Sequence, residues 1–543
     1  MKNLVTENII KVLSALDYPI DQVNVQKTKN PEYGDYSSNI AMILAKKIKK
    51  NPIDTANEII NKINDSYGGD FSKVNIAGPG FINFKISEEI LFEQLKKIIE
   101  KNENFGKTNI GANKKALVEF VSANPTGPLT IGHGRGAILG DTVTNILKWN
   151  GYVVEREYYF NNAGKQMERL SLSVYLRYCE LLNKKVDFPD ECYQGKYIYD
   201  IAQILIDKHG KDLLDEENSP LFKEIAEQHI FNDIKNTLNK IRIKFDNFFN
   251  EDSLYKNKAI FDIIESLKDK KLIYEKDGAT WFKGTDAGRP DDRVLIKSTG
   301  EPTYRLPDIA YHKDKLDRKF DLIIDVFGAD HMDAYPDVLA ALEQLGYDMS
   351  RITVLIHQFA TITENGESVK MSTRKANFIT LDELIDEVGI DVVRYFFLMR
   401  GANTHLNFDM DIAKSESDEN PVFYLQYAYA RISNIINRSI ELNYEQSENP
   451  NLALLTSSIE LELINSLISF PDCINRVTEK LEPQIIINYL QNIALLFHRF
   501  YSKNKVLTDD KDLSSARLLL IKSIQIVLRN GLDILGISHP EKM

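Results

Sequence analysis

Three cysteines in 543 residues, Cys179, Cys192 and Cys473, are odd in number and far apart, which excludes a disulfide framework and a thiolate metal site. They read as buried or idle thiols in a reducing compartment. No apolar run is long enough to span a bilayer, so no membrane partner is expected. The opening segment MKNLVTENIIKVLSALDY interrupts its hydrophobic positions with charge, which makes it an amphipathic helix and not a secretory leader. No repeat period or low-complexity tract is visible, and this excludes a repeat architecture. Positive charge is in deficit: 67 Lys and Arg against 79 Asp and Glu leave a net charge of −12. That average argues against a nucleic-acid partner, yet AKKIKK (45–50), KDKLDRK (313–319) and HRFYSKNK (498–505) are local basic runs. Runs of this kind are mostly solvated helix faces.

What is present can fill sizeable cores, since 43% of residues are hydrophobic. The length corresponds to roughly three or four domains. The first hundred or so residues mix helical periodicity with VNIAGPGFINFKIS (74–87), a strand–turn–strand pattern around Gly78, Pro79 and Gly80. The polar stretch 101–115 reads as a linker. From 115 to 160 a strand, a glycine loop, a helix and GYVVEREYYF form a βαβ pattern, which implies a parallel sheet. Residues 165 to about 270 read as helices inserted between sheet halves. Strand signals return in DRVLIKS (292–298), FDLIIDVFG (320–328) and ITVLIHQFATI (352–362), and from about 385 the chain reads as helical to its end.

SANPTGPLTIGHGRGA (122–137) concentrates glycine and proline between the strand KALVEFV and a helix periodic in Ile138, Leu139, Val143, Ile146 and Leu147. Three readings compete for it. Gly132-x-Gly134-x-x-Ala137 matches a dinucleotide fingerprint, with Glu155 and Glu157 about twenty residues on, where a ribose contact would fall. Against this, Asn124 to Pro128 separate the strand from the first glycine. A bare turn that lets the helix pack on the strand is the second reading. The third is ATP, flat against Gly132 with its phosphates at the helix N-terminus, where free N–H groups and the dipole favour anions and His133 can donate. ATP needs a second cationic element, and SVKMSTRKANFITLDEL (368–384) offers Lys370, Arg374 and Lys375 on a Ser/Thr-rich loop.

Together the two stretches resemble the paired HIGH and KMSKS signatures of class I aminoacyl-tRNA synthetases, in that family's order. The surrounding sequence resembles arginyl-tRNA synthetases through EYYFNNAGKQ (157–166), YQGKYIYDIA (193–202), FDNFFNEDSL (245–254) and DRVLIKSTGEPTYRLPDIAYH (292–312). It continues through GADHMDAY (328–335), VFYLQYAYARI (422–432), HRFY (498–501) and LGISHPEKM (535–543). The fold this implies is α/β, with a Rossmann-type nucleotide-binding catalytic core at 106–400 and a helical insertion at about 168–285. An α+β N-terminal domain at 1–105 would touch the tRNA elbow, and an all-α domain at 401–543 would bind the anticodon. The activity implied is ATP-dependent ligation of L-arginine to tRNA(Arg) through an arginyl-adenylate, in a cytoplasmic monomer. Class membership also implies initial transfer to the 2′-hydroxyl, and the family implies activation of arginine only once tRNA is bound. The alternative is a non-catalytic, synthetase-like RNA-binding paralogue, against which intact His133 and Lys370 argue.

Carried onto this chain, the ATP site comprises Gly132, His133, Gly134, Lys370, Met371 and Ser372. His133 and Lys370 act on the phosphates as the arginine carboxylate attacks the α-phosphorus. Mg²⁺ accompanies ATP through phosphate oxygens, without a dedicated protein cage. Two positions depart from the signatures: Thr130 replaces the first His of HIGH, and Thr373 replaces the second Lys of KMSKS, where Arg374 or Lys375 can substitute. The arginine pocket falls on Glu119, Ser122, Asn124, His133, Tyr304, Asp308 and Asp330, with His331 beside the last. Carboxylates suit a planar guanidinium that bonds in pairs. Tyr304 and Asp308 are four apart and share a helix face, provided the helix has barely begun at Pro307. Expected tRNA contacts are Tyr33, Asn39 and Lys46 near the N-terminus and Tyr424, Tyr427, Arg431, Arg499 and Lys503 in the tail. There Tyr429, Arg438, Phe497 and Tyr501 further interleave aromatic faces with cations, as splayed bases require. Aromatic stripes at helical spacing are more often a helical core.

Overall fold

The computed structural model describes all residues except 21–22, 29, 370–378, 445–446 and 448. Five parallel strands form the central sheet: β1 (Lys115–Glu119), β2 (Val153–Phe160), β3 (Asn247–Asn250), β4 (Leu322–Gly328) and β5 (Ile352–His357). Their order is β5-β4-β1-β2-β3. The order reverses between β1 and β4, so the C-terminal ends of these two strands flank the crevice where open α/β sheets bind ligands. β1 is buried on both faces: Ala116 and Val118 join one apolar cluster and Leu117 the other. A parallel strand covered on both sides needs a continuous apolar run, and Glu119 is the exception at its end.

Three helices shape the crevice: α1 (Ile131–Trp149), α2 (Arg305–Asp317) and α3 (Tyr335–Leu345). α1 lies so close to the sheet that a Cβ on Gly140 would sit 2.3 Å from Cγ of the buried Phe120. Gly140→Ala is therefore expected to destabilise the catalytic core by about 1–3 kcal/mol in a urea melt, although alanine favours helices, because overpacking outweighs propensity.

A four-stranded antiparallel sheet (Val25–Lys27, Tyr36–Ser38, Phe81–Ile86, Phe71–Ala77) precedes the core, with the expected hairpin at Gly78–Gly80. Beyond the core run α4 (Leu381–Val388), α5 (Ile390–Leu398), α6 (Pro421–Glu441), α7 (Gln484–Lys503) and α8 (Lys511–Leu535), with shorter helices between. Arg394 on α5 is fully buried at the junction of these parts. Its Nε donates to the Leu535 carbonyl (2.8 Å), its Nη1 to the Ile241 carbonyl (2.9 Å) and its Nη2 to Asp141 Oδ2 on α1 (2.6 Å). Among the described residues no helix is long and apolar enough to cross a membrane. The three cysteines are free thiols, Cys179 and Cys192 buried.

Three expectations need correction. Arg293–Ile296, within DRVLIKS, joins a separate antiparallel sheet with Ile273–Lys276 and Ala279–Phe282, not the parallel one. The chain is also not helical throughout after 385: Leu406–Asp409 pairs in parallel with Ala360–Glu364. Its alternation, Leu406 and Phe408 buried around exposed Asn407, spans too few residues to stand out from helical surroundings. β3 lies inside the span expected for the helical insertion and completes the edge of the central sheet.

Candidate active site

β1 delivers Glu119 to the crevice, and the chain then turns through Val121 and Ser122 with φ of 69° and 44°. A β-branched residue holds left-handed backbone only when its surroundings impose it. Here they do. Ser122 Oγ donates to Glu119 Oε1 (2.7 Å) and accepts the Tyr159 N–H (3.2 Å). Asn124 Oδ1 accepts the Asn161 N–H (2.8 Å), and the Tyr158 and Tyr197 hydroxyls donate to the carbonyls of Ala123 (2.8 Å) and Thr126 (2.9 Å). The loop reaches α1 in one shape.

At the start of α1, Thr130 and His133 close a capping box. Thr130 Oγ1 accepts the His133 N–H (3.5 Å), and the Thr130 N–H donates to His133 Nδ1 (3.2 Å). This assigns the ring proton to Nε2, the nitrogen left to meet a ligand. Burial holds the His133 pKa below its ordinary value, against the pull of Asp330. Thr130 thus works as an N-cap where the HIGH signature has its first histidine. The glycines divide by role. A Cβ on Gly134 would lie 2.6 Å from Leu381 Cδ1 and one on Gly136 would lie 2.8 Å from His357 Nε2, so both serve packing. A Cβ on Gly132 would meet only Thr130 Oγ1 at 3.7 Å, an ordinary contact.

Leu381 N–H donates to the Leu129 carbonyl (2.8 Å) and Thr380 bridges to Thr130, which fastens the chain just after 370–378 to the head of α1. Lys370, Met371 and Ser372, with Thr373, Arg374 and Lys375, lie outside the described residues.

α2 begins at Arg305 with Pro307 in its first turn, where proline sacrifices no helical hydrogen bond. Tyr304 caps it, 79% exposed, and its carbonyl accepts the Asp308 N–H (3.2 Å), so the two residues are one turn apart as expected. His312 and Lys315 continue inward from Asp308. Lys315 corrects the reading of KDKLDRK as a solvated face, because it is completely buried. The reason lies in the sheet: Asp325 on β4 stands opposite Glu119 on β1, and two adjacent buried carboxylates require a cation. Lys315 Nζ donates to Asp325 Oδ1 (2.6 Å) and to Glu119 Oε2. Burial would lower the Lys315 pKa, but Asp325 and Glu119 lift it to about 12. Burial would raise the Asp325 carboxyl, and Lys315 and His312 override this to hold it below its usual range.

Asp308 is different. Its half-buried carboxylate forms no ion pair among the described residues, and burial, with Glu119 and Glu251 nearby and despite His312, pushes its pKa up to about 6. Glu251, also raised by burial, accepts from the Tyr159 hydroxyl (2.5 Å) and Asn161 Nδ2 (2.8 Å). Tyr159, Asn161, Glu251, His312 and Lys315 were not singled out by sequence reasoning, although the first three lie within EYYFNNAGKQ and FDNFFNEDSL. Asp330 projects into solvent beside His331, which stacks on Phe327 at 5.0 Å. Of the two carboxylates the dinucleotide reading offered, Glu157 is removed: it is fully buried between Arg318 (2.6 and 2.7 Å) and Tyr311 (2.7 Å) and cannot reach a ribose, while Glu155 is partly exposed with Arg318 Nη1 at 3.7 Å.

Comparison with known sequences matches residues 94–397 to the class I (R) tRNA synthetase catalytic domain and residues 1–86 to the arginyl-tRNA synthetase N-terminal domain. The chain belongs to the arginyl-tRNA synthetase family. Residues 425–543 match the DALR anticodon-binding domain. The Arginine–tRNA ligase of Desulfotalea psychrophila is 49% identical over 96% of this chain and 94% of its own length. That of Chlorobium phaeobacteroides is 48% identical over the whole of both. The arginyl-tRNA synthetase structure from Thermus thermophilus shares the fold with a TM-score of 0.78, covering both chains fully at 20% identity.

In this synthetase's tail, Tyr427, Arg431, Arg438 and Tyr501 line a cavity of about 640 Å³. The Arg431 guanidinium lies 4.5 Å from the Tyr427 ring centre and 4.9 Å from that of Tyr501. Tyr424 packs on His498 at 4.6 Å, while Arg499 and Lys503 are exposed outside that cavity. Tyr429 and Phe497 are core residues, which removes them from any base-stacking surface. At the other end of the synthetase, Tyr33 is exposed, as is Lys46 on the helix Ile40–Ile48. Asn39 is the N-cap residue of that helix, and its buried Oδ1 has no hydrogen-bond partner among the described residues.

Proposed function

We propose that the chain ligates L-arginine to tRNA(Arg) at the crevice between β1 and β4, in two steps with MgATP as co-substrate. The observation that carries the pocket is Asp308, a carboxylate raised to about 6 and lacking a cationic partner among the described residues. A guanidinium supplies that partner. Glu119, held in place by Lys315 and Ser122, adds a second negative group, and Asn124 and Tyr304 border the same crevice. ATP lies along Gly132, with His133 Nε2–H and the free N–H groups of α1 toward its phosphates. The arginine carboxylate attacks the α-phosphorus as pyrophosphate leaves, and the terminal 2′-hydroxyl of the tRNA then displaces AMP. Lys370 stabilises the charge that develops in the first step. The N-terminal module around Tyr33, Asn39 and Lys46 holds the tRNA elbow. The Tyr427–Arg431–Tyr501 cavity receives anticodon bases. The enzyme works as a monomer in the cytoplasm, which sedimentation and cell fractionation check.

ATP–pyrophosphate exchange measured with each amino acid, with and without tRNA, tests this reading. Arginine alone should support exchange, and only with tRNA present; exchange with no amino acid under either condition would leave an RNA-binding paralogue. Lys370→Ala should lower the adenylation kcat by about 10²–10³ with a smaller change in the KM for ATP. Unchanged single-turnover adenylation would remove Lys370 from the mechanism.

A further inference from the structure

Asp337, in the first turn of α3, is 2% exposed and receives three guanidinium groups. Arg289 Nε lies 2.8 Å from Oδ1, and Arg293 Nε and Arg305 Nε lie 3.0 and 2.9 Å from Oδ2. An arginine normally grips a carboxylate with paired N–H groups of its fork. Here each offers only Nε, which leaves the fork ends pointing elsewhere. The terminal nitrogens of Arg289 and Arg305 have no hydrogen-bond partner among the described residues, and none of them is a buried, unpartnered atom. They therefore open to solvent. Arg293 Nη1 has Asp291 at 3.5 Å, a carboxylate that is itself 68% exposed. Three cations held together by one buried anion keep an excess of positive charge in a fixed arrangement before any ligand arrives.

Position identifies the ligand. Arg305 opens α2 and lies three residues before Asp308, about 4.5 Å along the helix axis. Arg305 directly follows exposed Tyr304, which places the cluster at the head of α2, the end of the helix that carries Asp308. Esterification requires the single-stranded 3′ end of the tRNA to reach the arginine pocket, and its phosphodiesters are the anions it brings. We infer that Arg289, Arg293 and Arg305 form a docking site for phosphodiester groups of the tRNA 3′ end, with Asp337 holding the three forks in register. This rests on the reading that Asp308 receives the substrate guanidinium.

The double variant Arg289→Gln/Arg293→Gln keeps the Arg305–Asp337 pair. Its binding to tRNA(Arg), and to the same tRNA without its terminal single-stranded nucleotides, is measured over a series of KCl concentrations. The variant should bind full-length tRNA about tenfold more weakly, with the slope of log K against log salt reduced by about 0.7 for each phosphate that is no longer neutralised. The truncated tRNA should bind both proteins equally. Equal weakening on both RNAs, or an unchanged slope on the full-length one, overturns the site. Methylphosphonate linkages at the tRNA 3′ terminus provide a second measurement on the unaltered enzyme: weakened binding is expected, and undiminished binding overturns the site even if the variant fails to fold. Failure of the pocket reading shows separately, as an unchanged KM for arginine in Asp308→Asn.

Discussion

Asp308→Asn is expected to lower kcat/KM for arginine by about 10²–10⁴, the loss that follows when one partner of a desolvated charge pair is removed. The same pairing predicts rejection of citrulline, nearly isosteric but uncharged. It should react about 10⁴–10⁵-fold more slowly than arginine, because it leaves the carboxylate buried and unpaired. In the Asn variant this discrimination should collapse as arginine falls toward citrulline. Acidity gives an independent readout. The free enzyme holds a proton on Asp308 below about pH 6, and a bound guanidinium favours the ionised form. Arginine binding therefore releases a proton in that range, and the KM for arginine rises as pH falls through 6, by up to about tenfold per unit. The Asn variant should lose this slope. Persistence of the slope, measured by isothermal titration in two buffers of different ionisation enthalpy, would assign the titration to another group.

Lys315→Met should destabilise the catalytic core by about 3–5 kcal/mol, because Glu119 and Asp325 then stand side by side in the sheet without a cation. The triple variant Lys315→Met/Glu119→Gln/Asp325→Asn should recover most of that loss and still fail to activate arginine. The sign of the pH dependence separates the cases. In the unaltered protein Asp325 is held below its ordinary pKa, so its contribution to stability is complete above about pH 4 and is lost as pH falls below that. With Lys315 gone, burial dominates, the Asp325 pKa rises, and stability should instead decline as pH increases from acid toward neutral. Urea midpoints at acidic and neutral pH measure the reversal.

The strand, loop and helix around 115–149 were legible in the sequence because their signals are local: an apolar run, glycine and proline punctuation, then helical periodicity. Glu119 is the one buried charge in that strand, whose other charged residue, Lys115, is exposed at the opposite end. Lys315 could not be read in the same way. Whether a lysine in a basic run is solvated depends on Glu119, 196 residues away, and on Asp325, which becomes its neighbour only once β4 lies beside β1. Tyr429 and Phe497 look like Tyr427 and Tyr501 in sequence, and only the packing of α6 against α7 tells core from cavity wall. The strand Leu406–Asp409 depends equally on a distant partner, Ala360–Glu364.

The three acceptors of Arg394 set an order on biosynthesis. Its guanidinium is complete only when α1, the Ile241 carbonyl and the Leu535 carbonyl have all arrived, and Leu535 closes α8, 141 residues after Arg394. A nascent chain carrying every pocket residue on β1, α1 and α2 still has a guanidinium waiting for an acceptor while α8 is inside the ribosome. Domains usually fold as units, N-terminal first, as the chain emerges. Here the catalytic half cannot satisfy Arg394 until α8 has been translated, so a chain stalled or nicked before α8 is left with a buried donor that chaperones and proteases can recognise as unfinished.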